Sequence, residues 1–148
     1  MGVADAIKKV DAKQITSTWA ILESDKPGNG VELMLQLFKD DATAKGKFGR
    51  LGDPANKDEA LKNSKFVGQS AMLMGGLQVL VENLGNPLVL EACARNLAVK
   101  HIARNMTAED FGRICGSLDK ILDAKNAGAD AKAAWRNLVA VVQEAMRE

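Results

Sequence analysis

Apolar residues recur along most of the chain at steps of three and four, which is the period of an amphipathic helix. No segment alternates apolar and polar residues for long enough to predict a strand. The pattern predicts an all-α fold of seven to eight helices in a single domain over residues 1–148. Nothing in the chain marks a second domain, an internal repeat or a low-complexity tract.

Two helices are predicted at the beginning of the chain. Residues 2–10 are expected to form a short leading helix with its apolar side chains on one face. Asp11 and Gln14 then have the spacing of a capping box, in which a side chain accepts a hydrogen bond from a backbone N–H of the first helical turn. We expect the helix that follows to end near Asp25.

The third helix is predicted to follow a turn. One proline and two glycines lie within residues 27–30, and these residue types favour turns over helix interiors. Asn29 and Glu32 have capping-box spacing, so we expect the helix to begin there. From residue 40 to residue 58 the helical pattern weakens, and three further glycines and a proline predict an irregular connection with Phe48 as an apolar anchor.

A long helix is predicted over residues 58–84, although Gly75 and Gly76 lie in its interior. Glycine at such positions costs about 1 kcal/mol relative to alanine, so we expect a helix or a ligand to approach closely there. Three more helices follow, and their start signals are Asn86-Pro87, Thr107 with Asp110, and Asp130. The first of these is predicted to end near His101, and residues 125–128 break the second.

Composition excludes several classes of function. The net charge is +1 and only 4% of residues are aromatic, with no tyrosine, so neither a polyanion partner nor a base-stacking nucleic-acid surface is indicated. No apolar run is long enough to cross a bilayer, and the chain begins without a signal-peptide pattern, so we expect a cytoplasmic protein without membrane segments. Cys93 and Cys115 are at apolar helical positions and are expected to be buried free thiols.

His101 is the only histidine, and it ends an apolar stripe that begins at Leu90. No second histidine or cysteine pair accompanies it, so a structural zinc site is not indicated. No nucleophile elbow is present for a serine triad, and the glycines at 46, 49 and 52 do not follow a strand, which argues against a phosphate-binding loop. A single imidazole is the usual protein ligand of haem iron in oxygen carriers. From the residues alone, His101 is either such a ligand or a structural core residue.

Residues along the whole chain carry a family resemblance that decides between these two readings. They are Ser24-Asp25-Lys26, Gly28-Asn29-Gly30-Val31, Phe48, Arg50-Leu51-Gly52, Leu73-Met74, Asn86-Pro87, Ala98, His101-Ile102, Arg104, Phe111-Gly112, Ala124-Lys125-Asn126, Ala134-Trp135, and Leu138-Val139-Ala140-Val141-Val142-Gln143. In these residues the chain resembles the globins, and more closely the intracellular haemoglobins of ark clams and related bivalves. The resemblance implies a globin fold around a haem pocket, with the leading helix as a short additional helix before the first helix of that fold.

The resemblance also implies a haem b cofactor (iron protoporphyrin IX) and assigns its pocket. His101 matches the proximal iron ligand, Gln69 the distal position where most globins have histidine, and Phe48 the phenylalanine that wedges the haem. The other expected pocket residues are Met34, Leu73, Leu97, Met106, Phe111 and Ile114, with Arg50, Lys100 and Arg104 as candidates for the haem propionates.

Glutamine at the distal position departs from the common globin pattern. An amide has a hydrogen-bond donor for the O₂ ligand, which carries partial negative charge, and it does not titrate as histidine does. Since no second histidine exists, a bis-histidine iron is excluded and a five-coordinate ferrous haem is expected.

Bivalve haemoglobins of this kind pair through the two helices that flank the haem, the E and F helices of the globin fold. The resemblance therefore implies a homodimer, or an assembly with related globin chains, through Met72, Gly75, Gly76, Asn96, Leu97 and Lys100. Leu97 stands where the ark-clam proteins have a phenylalanine that moves with ligand state, so we expect the cooperative switch of those proteins to be altered or missing here.

Reversible O₂ binding, for transport or storage in blood cells or tissue, is the function that the resemblance implies, with CO and NO as further ligands. The alternative is sulfide binding, because some globins of symbiont-bearing clams also have distal glutamine, although those proteins have aromatic residues nearby. An enzyme is not expected, since peroxidases need a distal acid–base residue that Gln69 replaces poorly. A helical signalling or structural protein without haem is a further class, and it would purify colourless.

Overall fold

The computed structural model describes residues 1–148 and contains nine α-helices and one short 3-10 helix, with no strand. In chain order the α-helices are α1 (Val3–Lys8), α2 (Ala12–Glu23), α3 (Lys26–Asp40), α4 (Lys57–Leu61), α5 (Ser64–Val81), α6 (Pro87–Ile102), α7 (Ala108–Gly112), α8 (Ile114–Ala124) and α9 (Ala129–Met146), and the 3-10 helix (Lys45–Lys47) lies between α3 and α4. The predicted all-α fold is confirmed. Only Arg113 separates α7 from α8, so the sequence pattern treated them as one helix.

The predicted turn at residues 27–30 is wrong, because α3 begins at Lys26 and runs through it. Asp25 is the cap, and its carboxylate accepts a hydrogen bond from the backbone N–H of Gly28 at 3.2 Å. Asn29 is buried within the helix instead of capping it, and its Nδ2 donates to the carbonyl oxygen of Leu22 at 2.8 Å. Proline is tolerated in the first turn of a helix, where its missing N–H would have no partner.

Gly30 allows a close approach between two helices. A Cβ atom at Gly30 would lie 2.8 Å from Cγ of Met74 and 3.4 Å from the carbonyl oxygen of Ser70. The glycine therefore lets α3 cross α5 at close range.

The predicted helix over residues 58–84 is divided in the structure into α4 and α5. Asn63 causes the division, because its side chain accepts hydrogen bonds from the backbone N–H groups of Lys65 and Phe66 and so caps α5. The Nδ2 of Asn63 also donates to the carbonyl oxygen of Leu51 at 2.6 Å, which ties the irregular connection to the start of α5.

The other predicted helix ends lie within three residues of the observed ones: α1 ends at Lys8, α2 at Glu23, α5 at Val81 and α6 at Ile102. Side chains of Asp11, Asn86 and Thr107 accept hydrogen bonds from the first turns of α2, α6 and α7, and Thr107 forms a complete capping box with Asp110. The break at residues 125–128 contains two left-handed residues, and α9 begins at Ala129.

Two apolar clusters form the core. The larger cluster joins α1, α2, α3, α5, α6, α8 and α9, and the smaller one consists of Val31, Met34, Leu51, Ala60 and Phe66. Leu73 on α5 packs against both clusters, so the two cores meet at the middle of α5.

The two cysteines are free but differ in burial. Cys115 is buried, as expected, and burial raises the pKa of its thiol to about 11. Cys93 is only half-buried, which corrects the expectation that both thiols are inaccessible. No helix is long and apolar enough to cross a membrane.

Candidate functional site

A cavity of about 440 Å³ lies where the two cores meet. Its lining is mostly apolar and comes from α3, α5, α6, α7, α8 and α9 together with the segment around the 3-10 helix. Ten of the predicted site residues line it: Phe48, Gln69, Leu73, Leu97, Lys100, His101, Arg104, Met106, Phe111 and Ile114.

His101 is held firmly at the wall of this cavity. Its Nδ1 lies 2.7 Å from the carbonyl oxygen of Leu97, one helical turn earlier on α6. Because a carbonyl can only accept, Nδ1 must carry the proton, and Nε2 keeps its lone pair. The ring of Phe111 meets the imidazole edge to face with centroids 4.8 Å apart. The side chain is thus oriented on two sides before any ligand is considered.

Burial lowers the pKa of His101 below its ordinary value, and the positive charges of Arg104 and Lys100 lower it further. The hydrogen bond to Leu97 acts in the opposite direction without reversing the shift. The imidazole is therefore neutral at pH 7, which is the state that binds a metal ion.

Gln69 lies on α5, half-buried, and its side chain makes no hydrogen bond to another protein group. No buried side-chain nitrogen or oxygen in the molecule lacks a partner. The amide of Gln69 and the free Nε2 of His101 therefore keep accessible surface, and both residues line the same cavity. Leu73, one turn after Gln69, adds an apolar neighbour on the same face.

Phe48 is fixed by a group of aromatic rings beside the cavity. Its ring centroid lies 5.6 Å from that of Phe38, and Phe38 in turn meets Phe66 edge to face at 5.9 Å. Phe66 is fully buried in the smaller core. Phe48 therefore brings a rigid apolar surface to the cavity from the connection between α3 and α4.

Two predicted site residues do not line the cavity. Met34 is fully buried among the residues of the smaller core, because that side of α3 faces Phe66 and Leu51. Arg50 is exposed and follows Gly49, whose φ of 75° turns the chain. The structure therefore separates Met34 and Arg50 from the other ten residues.

Charged residues at the edge of the cavity were missed by the sequence reasoning. Asp41, Lys47 and Asp110 line the cavity together with the predicted Lys100 and Arg104. Position along the chain offered a signal for two of them, since Lys47 directly precedes Phe48 and Asp110 directly precedes Phe111. Leu138 and Val139 of α9 also reach the cavity wall, and the apolar stripe of α9 indicated burial there but no ligand contact.

The residues present fit a haem. No group of three or more side chains could hold a metal ion, so the protein by itself does not supply a complete metal site. A single neutral imidazole with a fixed Nδ1–H, facing an apolar slot, suits a metal whose other ligands come with a macrocycle. The exposed Lys100 and Arg104 at the edge of the same slot are cations that suit carboxylates.

Comparison with known proteins agrees with this arrangement. Residues 31–146 match the model of the family described as Globin. The chain is 41% identical to Globin-1 of Anadara inaequivalvis over 147 residues, covering 97% of this chain and 99% of that protein. It is 41% identical to Globin-1 of Anadara broughtonii over 134 residues, covering 90% of each. It is 40% identical to the Globin-2 B chain of Anadara inaequivalvis over 145 residues, covering 95% and 93%. The predicted resemblance to ark-clam proteins is confirmed.

Proposed function

Because the chain belongs to the globin family, we propose that it binds dioxygen reversibly, for transport or storage, at a haem b ligated by His101. Membership of the family already makes it a haem-based oxygen-binding globin. The proposal adds which residues bind the iron and the dioxygen, and it describes a carrier, not an enzyme. The observation that carries it is the neutral imidazole of His101, fixed at Nδ1 and accessible at Nε2 in an apolar cavity.

Haem, when bound, supplies a ferrous iron that takes dioxygen reversibly. His101 gives one ligand through Nε2, and its hydrogen bond to Leu97 keeps the ring from rotating. Phe48 and Phe111 bring apolar surface that excludes water from the slot. Lys100 and Arg104 lie at the edge, where they would pair with the propionates.

Gln69 serves the dioxygen ligand. Its NH₂ group would donate a hydrogen bond to the partly negative oxygen, and no other protein group competes for that donor. An amide has no acid–base transition near neutral pH, so this interaction persists when the pH changes.

The test is the visible spectrum of the purified protein with and without O₂, together with an O₂ equilibrium curve. We expect a five-coordinate high-spin ferrous form that converts reversibly to an oxygenated form. A low-spin six-coordinate spectrum in the absence of O₂, or a protein that purifies colourless and takes up no added haem, would contradict the proposal.

Sulfide is the second candidate ligand, and the free amide of Gln69 is the feature that favours it. The aromatic residues that accompany distal glutamine in the sulfide-binding clam globins are only partly matched here. The residue one turn after Gln69 on α5 is Leu73, and the only phenylalanines of the cavity are Phe48 and Phe111. Titration of the ferric protein with sulfide, followed in the visible spectrum, separates the two functions. If the ferric protein binds sulfide at much lower concentration than it binds other anions, sulfide binding is favoured over O₂ transport or storage.

We also propose that the protein pairs through α5 and α6. Met72 is 63% exposed on α5, and Gly75 has open space where a Cβ would be, so a second helix could approach closely there. Gly76 instead faces Cδ2 of Leu97 at 3.5 Å, and Asn96 and Lys100 are exposed on α6. Two relatives bear the names Globin-2 A chain and Globin-2 B chain, which supports assembly in this family.

Sedimentation at micromolar concentration tests the pairing, with a homodimer expected and a monomer as the contrary result. Replacement of Gly75 by a large residue should convert the dimer to a monomer, whereas the same change at Gly116, on the exposed surface of α8, should leave it paired.

We also propose a cytoplasmic location. Staining of blood cells and tissue with an antibody to the protein would check it.

A further inference from the structure

Two segments that flank the cavity are joined by charged groups across its edge. Lys47 ends the 3-10 helix directly before Phe48, and Asn105 lies in the turn that follows His101 and α6. The Nζ of Lys47 donates to the carbonyl oxygen of Asn105 at 3.3 Å and lies 3.7 Å from Oδ2 of Asp110. One lysine therefore ties the segment that carries Phe48 to the segment that carries His101.

Asp110 connects this tie to the imidazole. Its Oδ2 accepts a hydrogen bond from the backbone N–H of Thr107 at 3.0 Å, so the same carboxylate closes the capping box of α7. The next residue is Phe111, whose ring contacts the ring of His101. A displacement of Asp110 would therefore move the aromatic ring that supports the imidazole.

A second pair strengthens the connection. Nη1 of Arg113 lies 3.1 Å from Oδ2 of Asp41 and 3.6 Å from Oδ1 of Asp110. Lys47, Asp110, Arg113 and Asp41, paired in that order, thus form a chain of alternating charges, which we call the rim network. Its two carboxylates are 13% and 20% exposed and Lys47 is 26% exposed, so these charges are partly withdrawn from water and screened less than a surface pair.

The turn after His101 depends on this support. Asn105 has a φ of 60°, a left-handed conformation that few residues other than glycine and asparagine adopt readily. The backbone N–H of Met106 donates to the carbonyl oxygen of His101 at 3.1 Å, which closes the turn from the side of α6. Lys47 contacts the same turn from another segment of the chain, through the carbonyl oxygen of Asn105.

We infer that Lys47 and Asp110 are positioning residues of the haem site, which hold the turn after His101 against the segment of Phe48 and so slow the escape of haem. This inference rests on the proposed haem-binding function. It assigns the ammonium group of Lys47 to protein acceptors. The side chains of Lys100 and Arg104, in contrast, make no hydrogen bond to another protein group and remain available for propionates.

Haem loss from the ferric protein to an excess of haem-accepting apoprotein tests the inference. We expect Lys47→Met and Asp110→Asn each to accelerate haem loss about two- to fivefold, the range that coupling between partly exposed charges supplies. Asparagine keeps an oxygen for the Thr107 cap, so Asp110→Asn removes the charge and preserves α7. If the two residues act as a pair, the double variant should lose haem no faster than either single variant.

Lys45→Met is the matched control. Lys45 belongs to the same 3-10 helix and forms an ion pair with Asp53 at 2.7 Å, but it does not line the cavity. We expect Lys45→Met to lose haem at the same rate as the unmodified protein. Lys47→Arg, which keeps the positive charge, should lose haem nearly as slowly as the unmodified protein. Acceleration in Lys47→Met without acceleration in Asp110→Asn would mean that Lys47 serves a propionate and would overturn the pairing.

Amide hydrogen exchange at Met106 and Thr107 gives a readout that does not depend on haem loss. In the full-length chain, with and without haem, exchange at these two amides should be faster in Lys47→Met than in Lys45→Met. Unchanged exchange would overturn the inference. A colourless unmodified protein would overturn the proposed function instead, and the exchange measurement would still decide whether the tie exists.

Discussion

His101 and Gln69 line the same cavity but are held in different ways. The imidazole is fixed by a hydrogen bond to Leu97 and an edge-to-face contact with Phe111. The amide of Gln69 makes no hydrogen bond within the protein. The His101 side is therefore set before any ligand arrives, whereas the Gln69 side presents a donor that can still adapt to what enters.

The same contrast appears in the helices that carry the two residues. α6 begins at its own cap, Asn86, and the turn that ends it leads into the capping box of Thr107. α5 also begins at a cap, Asn63, and Gln69 lies next to Ser70, where α3 crosses α5 at Gly30. Hydrogen bonds between neighbouring residues thus fix the chain after His101, whereas packing against a distant helix borders Gln69.

Replacement of His101 by glycine is the change with the largest expected effect. It removes the only imidazole, so the protein should bind no stoichiometric haem, measured as Soret absorbance per chain, and added free imidazole should restore binding by filling the vacated space. Gln69→Gly is the control and should bind a full complement of haem. Equal haem content in both variants would mean that His101 is not the residue that holds the iron, and the contrast between His101 and Gln69 would fail.

Gly30→Ala tests how much the crossing of α3 and α5 contributes to the Gln69 side. The added Cβ would meet Met74 at 2.8 Å, so we expect a loss of about 1–3 kcal/mol in the free energy of unfolding, the usual cost of overpacking. Urea denaturation of the haem-free chain measures it without the contribution of bound haem. Gly116→Ala, in α8 with no atom within 4 Å of the new Cβ, should be neutral or slightly stabilising. A neutral Gly30→Ala would mean that Met74 yields easily and that α5 is held elsewhere.

The contrast also explains what could be predicted from the sequence. The caps at Asn86 and Thr107 and the position of His101 depend on residues within a few positions of one another, and a pattern of residue types is enough to find them. Gly30 was interpreted as a turn residue because its reason for being glycine is Met74, far away in the chain.

Residues that depend on distant partners escaped prediction for the same reason. The helical period correctly indicates that Met34 is buried, but it does not tell which of the two cores receives it. Lys47 and Asp41 look like ordinary surface charges until the fold brings Asp110 and Arg113 beside them. The helical period predicts that a side chain is buried, but its packing partners are known only once the helices are assembled.

Gln69→Leu has the smallest expected effect and tests the adaptable side directly. Loss of one hydrogen bond to dioxygen should raise the O₂ dissociation rate about three- to tenfold, because such a bond contributes roughly 0.5–1.5 kcal/mol. Carbon monoxide, which accumulates less negative charge, should dissociate at nearly the same rate in both proteins. Both rates are measured by rapid mixing with a competing ligand.

Gln78→Leu provides the matched control for this last change. Gln78 lies on the same helix, does not line the cavity and is already hydrogen-bonded to Glu82 at 2.6 Å, so its loss should alter neither rate. If Gln69→Leu slowed O₂ dissociation or changed both ligands equally, the amide would be acting by its size instead of its donor. The free amide would then be a space-filling residue, and the two sides of the cavity would differ only in which of them binds iron.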